Sequence, residues 1–125
     1  MDKKTTNTDF MIRAGPYSHI VEAGGFIFLS GIDPMDMKKG LIVADDIEKA
    51  TEIVLDNLKQ ALESVGSKLE KVVKVTIFMR DMADFNKLNE VYARYFPNEP
   101  PARTCVAVKE VPGNFQMKLD AIAIK

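Results

Sequence analysis

Apolar side chains run to both faces of several strand-like segments in this chain, while only two segments carry helical spacing. That imbalance limits the folds open to it. In one segment Ile27 and Leu29 oppose Phe26 and Phe28; in another Leu119 and Ala121 oppose Ile122 and Ile124. Side chains alternate across a strand, so a sheet built from these segments is apolar above and below. The helical stripes are Ile47, Val54, Leu58, Ala61, Leu62, Val65 and then Phe85, Leu88, Val91, Tyr92, Tyr95. Two helices cover one face of a small sheet, so the other needs a cover that the chain does not carry. A second copy of the chain is the expected cover, and the pattern predicts a closed homo-oligomer.

The order of elements follows from turn and cap signals. Gly24-Gly25 between two apolar runs predicts a β-hairpin, and Lys38-Lys39-Gly40 turns the chain into a short strand at Leu41-Ile42-Val43. Asp45 with Glu48 three residues later predicts a helix start, and Gly66 its end. From Lys71 to Met79 the period becomes alternating, with Val73, Val75, Ile77 and Met79 on one side and Lys74, Thr76 and Phe78 on the other. A second helix opens at Asp84 and is stopped by Pro97. Strands at Thr104–Lys109 and Met117–Ile124 flank a turn at Pro112-Gly113-Asn114. The expected fold is one α+β domain over residues 1–125, ordered β-β-β-α-β-α-β-β, with two helices on one face of a mostly antiparallel sheet.

Composition removes whole classes of function. Lys and Arg number 17 against 18 Asp and Glu, so a polyanion-binding surface is not expected, and Lys68, Lys71 and Lys74 are diluted by Glu70. A single Cys and a single His leave no intrachain disulfide and no zinc-type ligand spacing. Met35-Asp36-Met37 beside Met79 and Met82 reads as core filling rather than a soft-metal patch. The polar start of the chain lacks the apolar stretch of a signal peptide, and no run approaches the roughly 20 apolar residues of a membrane helix. A reducing cytoplasm is the expected location.

A few side chains stand out against this background. Arg103 follows Pro100-Pro101-Ala102 on the same strand face as Cys105. Its planar fork suits either a bidentate grip on a carboxylate ligand or a surface ion pair. Asp120 interrupts the side shared with Ile122 and Ile124, so it is either paired or functional. Cys105 reads as a small hydrophobe, because no basic partner adjoins it in sequence. Tyr17, after Gly15-Pro16, either donates a hydroxyl into a cleft or fills a loop. His19 is the one imidazole on which a nucleophile–base pair could be built, though a lone histidine is more often structural.

These residues and their neighbours resemble a known family. Gly15-Pro16-Tyr17-Ser18, Phe28-Leu29-Ser30-Gly31 with Pro34, Asn57-Leu58, Val73-Lys74-Val75-Thr76, Asp84-Phe85, Asn89-Glu90-Val91-Tyr92, Pro101-Ala102-Arg103-Thr104-Cys105-Val106 and Ala121-Ile122-Ala123 are similar, in order, to the RidA/YjgF family. The resemblance implies a chorismate-mutase-like fold and a homotrimer with clefts between subunits. It also implies hydrolysis of reactive enamine and imine acids, such as 2-aminoacrylate and 2-iminobutanoate, to 2-keto acids and ammonia, without cofactor or metal. By the same resemblance Arg103 would hold the substrate carboxylate, with the backbone of Gly31 and Cys105 lining the cleft. Tyr17 would handle protons, Ser30 and Asn89 would shape the site, and Asp120 would orient the water.

The chain departs from the family at two positions. Members with imine deaminase activity usually carry Glu where this chain has Asp120 and Gln where it has Ile32, while His19 stands where Gln is common. A shorter carboxylate and a lost amide point to an altered substrate preference, or to a trimer that binds carboxylate metabolites without turnover. No nucleic-acid or membrane partner is expected.

Overall fold

The computed structural model describes residues 2–125. Its strands are β1 (Lys4–Thr6), β2 (Ile20–Ala23), β3 (Phe26–Ile32), β4 (Met35–Asp36), β5 (Leu41–Ile42), β6 (Val72–Met79), β7 (Ala102–Ala107) and β8 (Met117–Ile124); its helices are α1 (Ile47–Ser64) and α2 (Phe85–Tyr95). Six strands form one sheet in the order β1-β2-β3-β8-β6-β7, in which only β6 and β7 run parallel. The two helices and the strands between them give the α+β fold that the spacing predicts.

Gly24 and Gly25 both adopt positive φ, 59° and 82°, and join β2 to β3 as a two-residue hairpin. Such a turn matches the right-handed strand twist, and glycine enters it without steric cost. α1 buries Ala50, Val54, Leu55, Leu58, Ala61 and Leu62, and α2 buries Leu88 and Val91, all against Ile27, Leu29, Val75, Ile77, Leu119, Ala121 and Ala123 of the sheet. The opposite sheet face is left open. Phe26, Phe28, Val106 and Ile124 are each 40–46% exposed there, which is the two-sided apolarity read from the sequence.

Four details of the strands differ from the sequence reading, each for a physical reason. Leu41–Ile42 does not join the main sheet but pairs with Met35–Asp36 in a separate ribbon. Lys4–Thr6 adds an edge strand that no apolar alternation announces, because it is held by backbone pairing to β2. β7 begins at Ala102 and ends at Ala107, two residues earlier at each end, since its register against β6 is what defines it. In β6 the register against β8 shifts between Val72 and Lys74, so Val72 takes the core position and Val73 is 40% exposed. A bulge of this kind inserts one residue and reverses the parity of those before it.

Candidate functional site

The residues singled out from sequence fall into two groups and one outlier. Arg103 and Cys105 lie on the edge strand β7 and face the helix layer, as their alternation requires, since Arg103 pairs with Val75 and Val75 with Ala121, both in the core. The Arg103 guanidinium carbon sits 4.7 Å from the Tyr92 ring centre and 5.6 Å from that of Phe85. Stacking on ring faces orients the guanidinium plane and leaves its N–H groups free. Among the described residues no carboxylate forms an ion pair with it.

Phe85, Asn89 and Tyr92 share one stripe of α2, at spacings of four and three residues. The Asn89 Oδ1 and the Tyr92 hydroxyl are buried and have no hydrogen-bond partner among the described residues. Burial raises the Tyr92 phenol to about 12, with the Arg103 charge acting the other way. Burial also pushes the Cys105 thiol up, partly offset by Arg103, and the thiol donates to the Met79 sulfur at 3.4 Å. Cys105 is therefore a neutral thiol at pH 7, as a small hydrophobe is, and not a prepared nucleophile.

Tyr17, Ser30 and Gly31 line a separate pocket of about 590 Å3, together with Asp33, Lys118 and the apolar Ile12 and Phe115. A bulge builds it. Between Leu29 and Ile32 the register of β3 on β8 moves only from Ala121 to Leu119, so one extra residue turns Ser30 and Gly31 away from the core and returns Ile32 to it. Ile32 is 2% exposed. It is a core residue, so the side chain at the position that the resemblance treats as part of the cleft is buried in the core.

The Ser30 hydroxyl donates to the Ser18 carbonyl at 2.6 Å, and the Tyr17 hydroxyl donates to the Ile12 carbonyl at 3.3 Å while accepting from the Ala14 N–H at 3.2 Å. His19, just beside them, is 4% exposed and ties down the segment from Asn7 to Ile12. It serves structure, not nucleophile activation.

Asp120 stands apart from both groups. It lies on the open sheet face in register with Thr76, which pairs in turn with Thr104, so within one chain Arg103 and Asp120 occupy opposite faces. An Arg103–Asp120 couple inside the chain is thereby excluded. Burial raises the Asp120 carboxyl, and nearby Lys74, which donates to the Thr104 hydroxyl at 2.9 Å, pulls it back down. Asp120 is not among the residues lining the Tyr17 pocket.

The pocket's own charges, Asp33 and Lys118, are the residues that sequence reading passes over. A signal existed: Lys118 interrupts the same face of β8 as Asp120 and calls for the same explanation. Among the described residues no cluster of three or more His, Cys, Asp and Glu is placed to hold a metal ion, and no helix is long and apolar enough to cross a membrane.

A family model described as Endoribonuclease L-PSP matches residues 9–125. A RutC family protein of Pyrococcus horikoshii is 47% identical over 111 residues, 89% of this chain and 88% of that protein. The Arabidopsis thaliana protein named Reactive Intermediate Deaminase A, chloroplastic, is 39% identical over 109 residues, 87% of this chain and 58% of its own length. The crystal structure of E. coli TdcF with bound serine matches with a TM-score of 0.90 at 31% identity, covering 98% of each chain.

Proposed function

Because the chain belongs to the endoribonuclease L-PSP family, the family of the YjgF and RidA proteins, we propose that it hydrolyses reactive 2-imino and enamine acids to 2-keto acids and ammonia. The observation that carries this reading is Arg103, stacked on two aromatic rings and without a carboxylate of its own. A guanidinium held in this way is complementary to the α-carboxylate of an amino-acid-derived imine. The relative named for reactive-intermediate deamination supports the chemistry, and the serine bound to TdcF is an α-amino acid, the ligand class that this reading requires.

The reaction asks little of the protein. A protonated imine carbon is already electrophilic, so the site must hold the carboxylate, place one water and move protons between oxygen and nitrogen. Water adds to carbon, the C=N pair moves to nitrogen, and the resulting carbinolamine releases ammonia as its hydroxyl becomes the keto oxygen. No covalent enzyme intermediate and no cofactor is needed. In this reading Arg103 binds the carboxylate, Tyr17 shares in proton handling, and Ser30, Gly31, Asn89 and Cys105 shape the cleft.

The Arg103 group and the Tyr17 pocket face different sides of the chain, so we propose that they meet between copies, in a homotrimer closed over the apolar sheet face. A reducing cytoplasm is the proposed compartment, the lone Cys105 supporting it.

The decisive measurement is keto-acid formation from freshly generated 2-iminobutanoate and its relatives. Arg103→Ala lowers kcat/KM by on the order of a hundredfold or more, the scale for truncating one partner of a buried charge pair. Absence of acceleration by the wild type with every amino-acid-derived imine overturns the reading. The placement of Asp120 outside the pocket favours one alternative, a trimer that binds carboxylate metabolites; saturable binding of a 2-keto acid without turnover would establish it.

A further inference from the structure

We propose that Asp33, held by Lys118, is the carboxylate that orients and deprotonates the attacking water, a proposal that rests on the imine-hydrolysis reading above. Three observations lead to it. Asp33 lines the pocket with Tyr17, Ser30, Gly31 and Lys118, whereas Asp120, two residues beyond Lys118 on the same face of β8, is not among its lining residues. The Asp33 and Lys118 side chains are only 15% and 26% exposed, so the pair belongs to the pocket interior and not to the solvated surface.

Asp33 Oδ1 is also buried, and its contact is the Lys118 ammonium, Nζ at 3.4 Å. Charge-assisted hydrogen bonds are shorter, about 2.7–2.9 Å. One loose ion pair uses only part of a carboxylate's acceptor capacity, and the rest is complementary to a water molecule or a substrate N–H.

The backbone explains why the pair can form. A Cβ built on Gly31 would collide with Lys118 Cε and crowd its Cδ and Cγ at 3.2 and 3.3 Å. Glycine at this position lets the lysine stem cross the β3 bulge and bring its ammonium to Asp33. Burial raises the Asp33 carboxyl above the ordinary carboxylate range, and Lys118 offsets part of that rise.

In the reaction Asp33 takes one proton from the water as the water oxygen bonds to the imine carbon and the C=N pair moves to nitrogen. The Asp33 carboxyl then returns that proton to the carbinolamine nitrogen. The C–N bond breaks with its electron pair on nitrogen, ammonia departs, and the hydroxyl proton passes through Asp33 to the leaving ammonia, giving the keto acid and ammonium. No oxidant, reductant or metal enters the balance.

The test uses the full chain and freshly generated 2-iminobutanoate. Asp33→Asn preserves shape, and we expect it to lower kcat about a hundredfold, the low end for general base catalysis, with KM within about threefold because Arg103 still holds the carboxylate. Asp33→Glu restores part of kcat. Lys118→Gln lowers kcat at neutral pH and regains it as pH rises. The titratable and charged side chains facing Asp33 are Lys118 and Tyr17 of the pocket and the Arg103 that the proposed trimer brings to it; loss of the Lys118 ammonium shifts Asp33 protonation to higher pH.

Wild-type acceleration with an undiminished Asp33→Asn kcat overturns this proposal alone, as does an Asp120→Asn variant more damaged than Asp33→Asn. A raised KM at constant kcat would make Asp33 a binding group and also overturn it. Wild type without acceleration overturns the parent reading instead. Should Asp33→Asn lose its circular dichroism signal, the Lys118→Gln pH profile decides.

Discussion

His19 accepts the Thr8 N–H on Nδ1 at 2.9 Å and lies 3.0 Å from the Ile12 carbonyl through Nε2, a pattern that fits Nδ1 as acceptor and Nε2 as donor. With the Asn7 side chain accepting its backbone N–H, the residue staples the N-terminal segment to β2. Replacing it by alanine leaves part-buried backbone groups unpaired, so His19→Ala is expected to cost about 1 kcal/mol and to speed amide exchange at Thr8, measurable by urea titration and hydrogen exchange. Tyr92 gives a pH signature. Its phenol is raised from 10.0 to about 12, so the stability it contributes is whole below pH 10 and is lost as pH rises toward about 12. Thermal scans across that window should show a steeper decline for wild type than for Tyr92→Phe. At this scale parity was the reliable guide: it set Arg103 beside Cys105 and Asp120 beside Ile122. It was blind to the Asp33–Lys118 pair, because the contact depends on a bulge that only the partner strand reveals.

Helix stripes and the glycine hairpin are local signals, and α1, α2 and β2–β3 follow them closely. Boundaries depend on a single hydrogen bond and are less legible. The α1 cap is Asp46, which accepts the Lys49 N–H at 3.1 Å, and not Asp45, whose side chain is 90% exposed and lies 3.8 Å from Arg80. Asp46→Ala is therefore expected to cost about 1 kcal/mol by urea denaturation, the usual worth of such a cap, while Asp45→Ala stays within about 0.5 kcal/mol. The turn and β5 are legible in the sequence, but β4 as its partner is not, since a two-residue strand carries no period. Asp36, which caps the turn between them by accepting the Lys38 and Lys39 N–H groups, is the residue that holds it.

For the molecule as a whole, the open sheet face sets the expected state in solution. Phe28 stands near its middle, between Val21 and Ile122 in the strand register. Sedimentation at micromolar concentration should give a trimer, and Phe28→Lys should release monomers whose helices and sheet remain folded but whose imine hydrolysis is lost. A stable wild-type monomer would remove the trimer from the proposal.

The same sheet has a consequence for synthesis. Its strand order sets β8, the last of the six to be made, between β3 and β6. Until β8 emerges from the ribosome, the facing edges of β3 and β6 stand apart and unpaired, open to other nascent strands. Loss of a few residues from β8 should therefore abolish folding, where the same loss from β1, at the outer edge, should leave the domain intact.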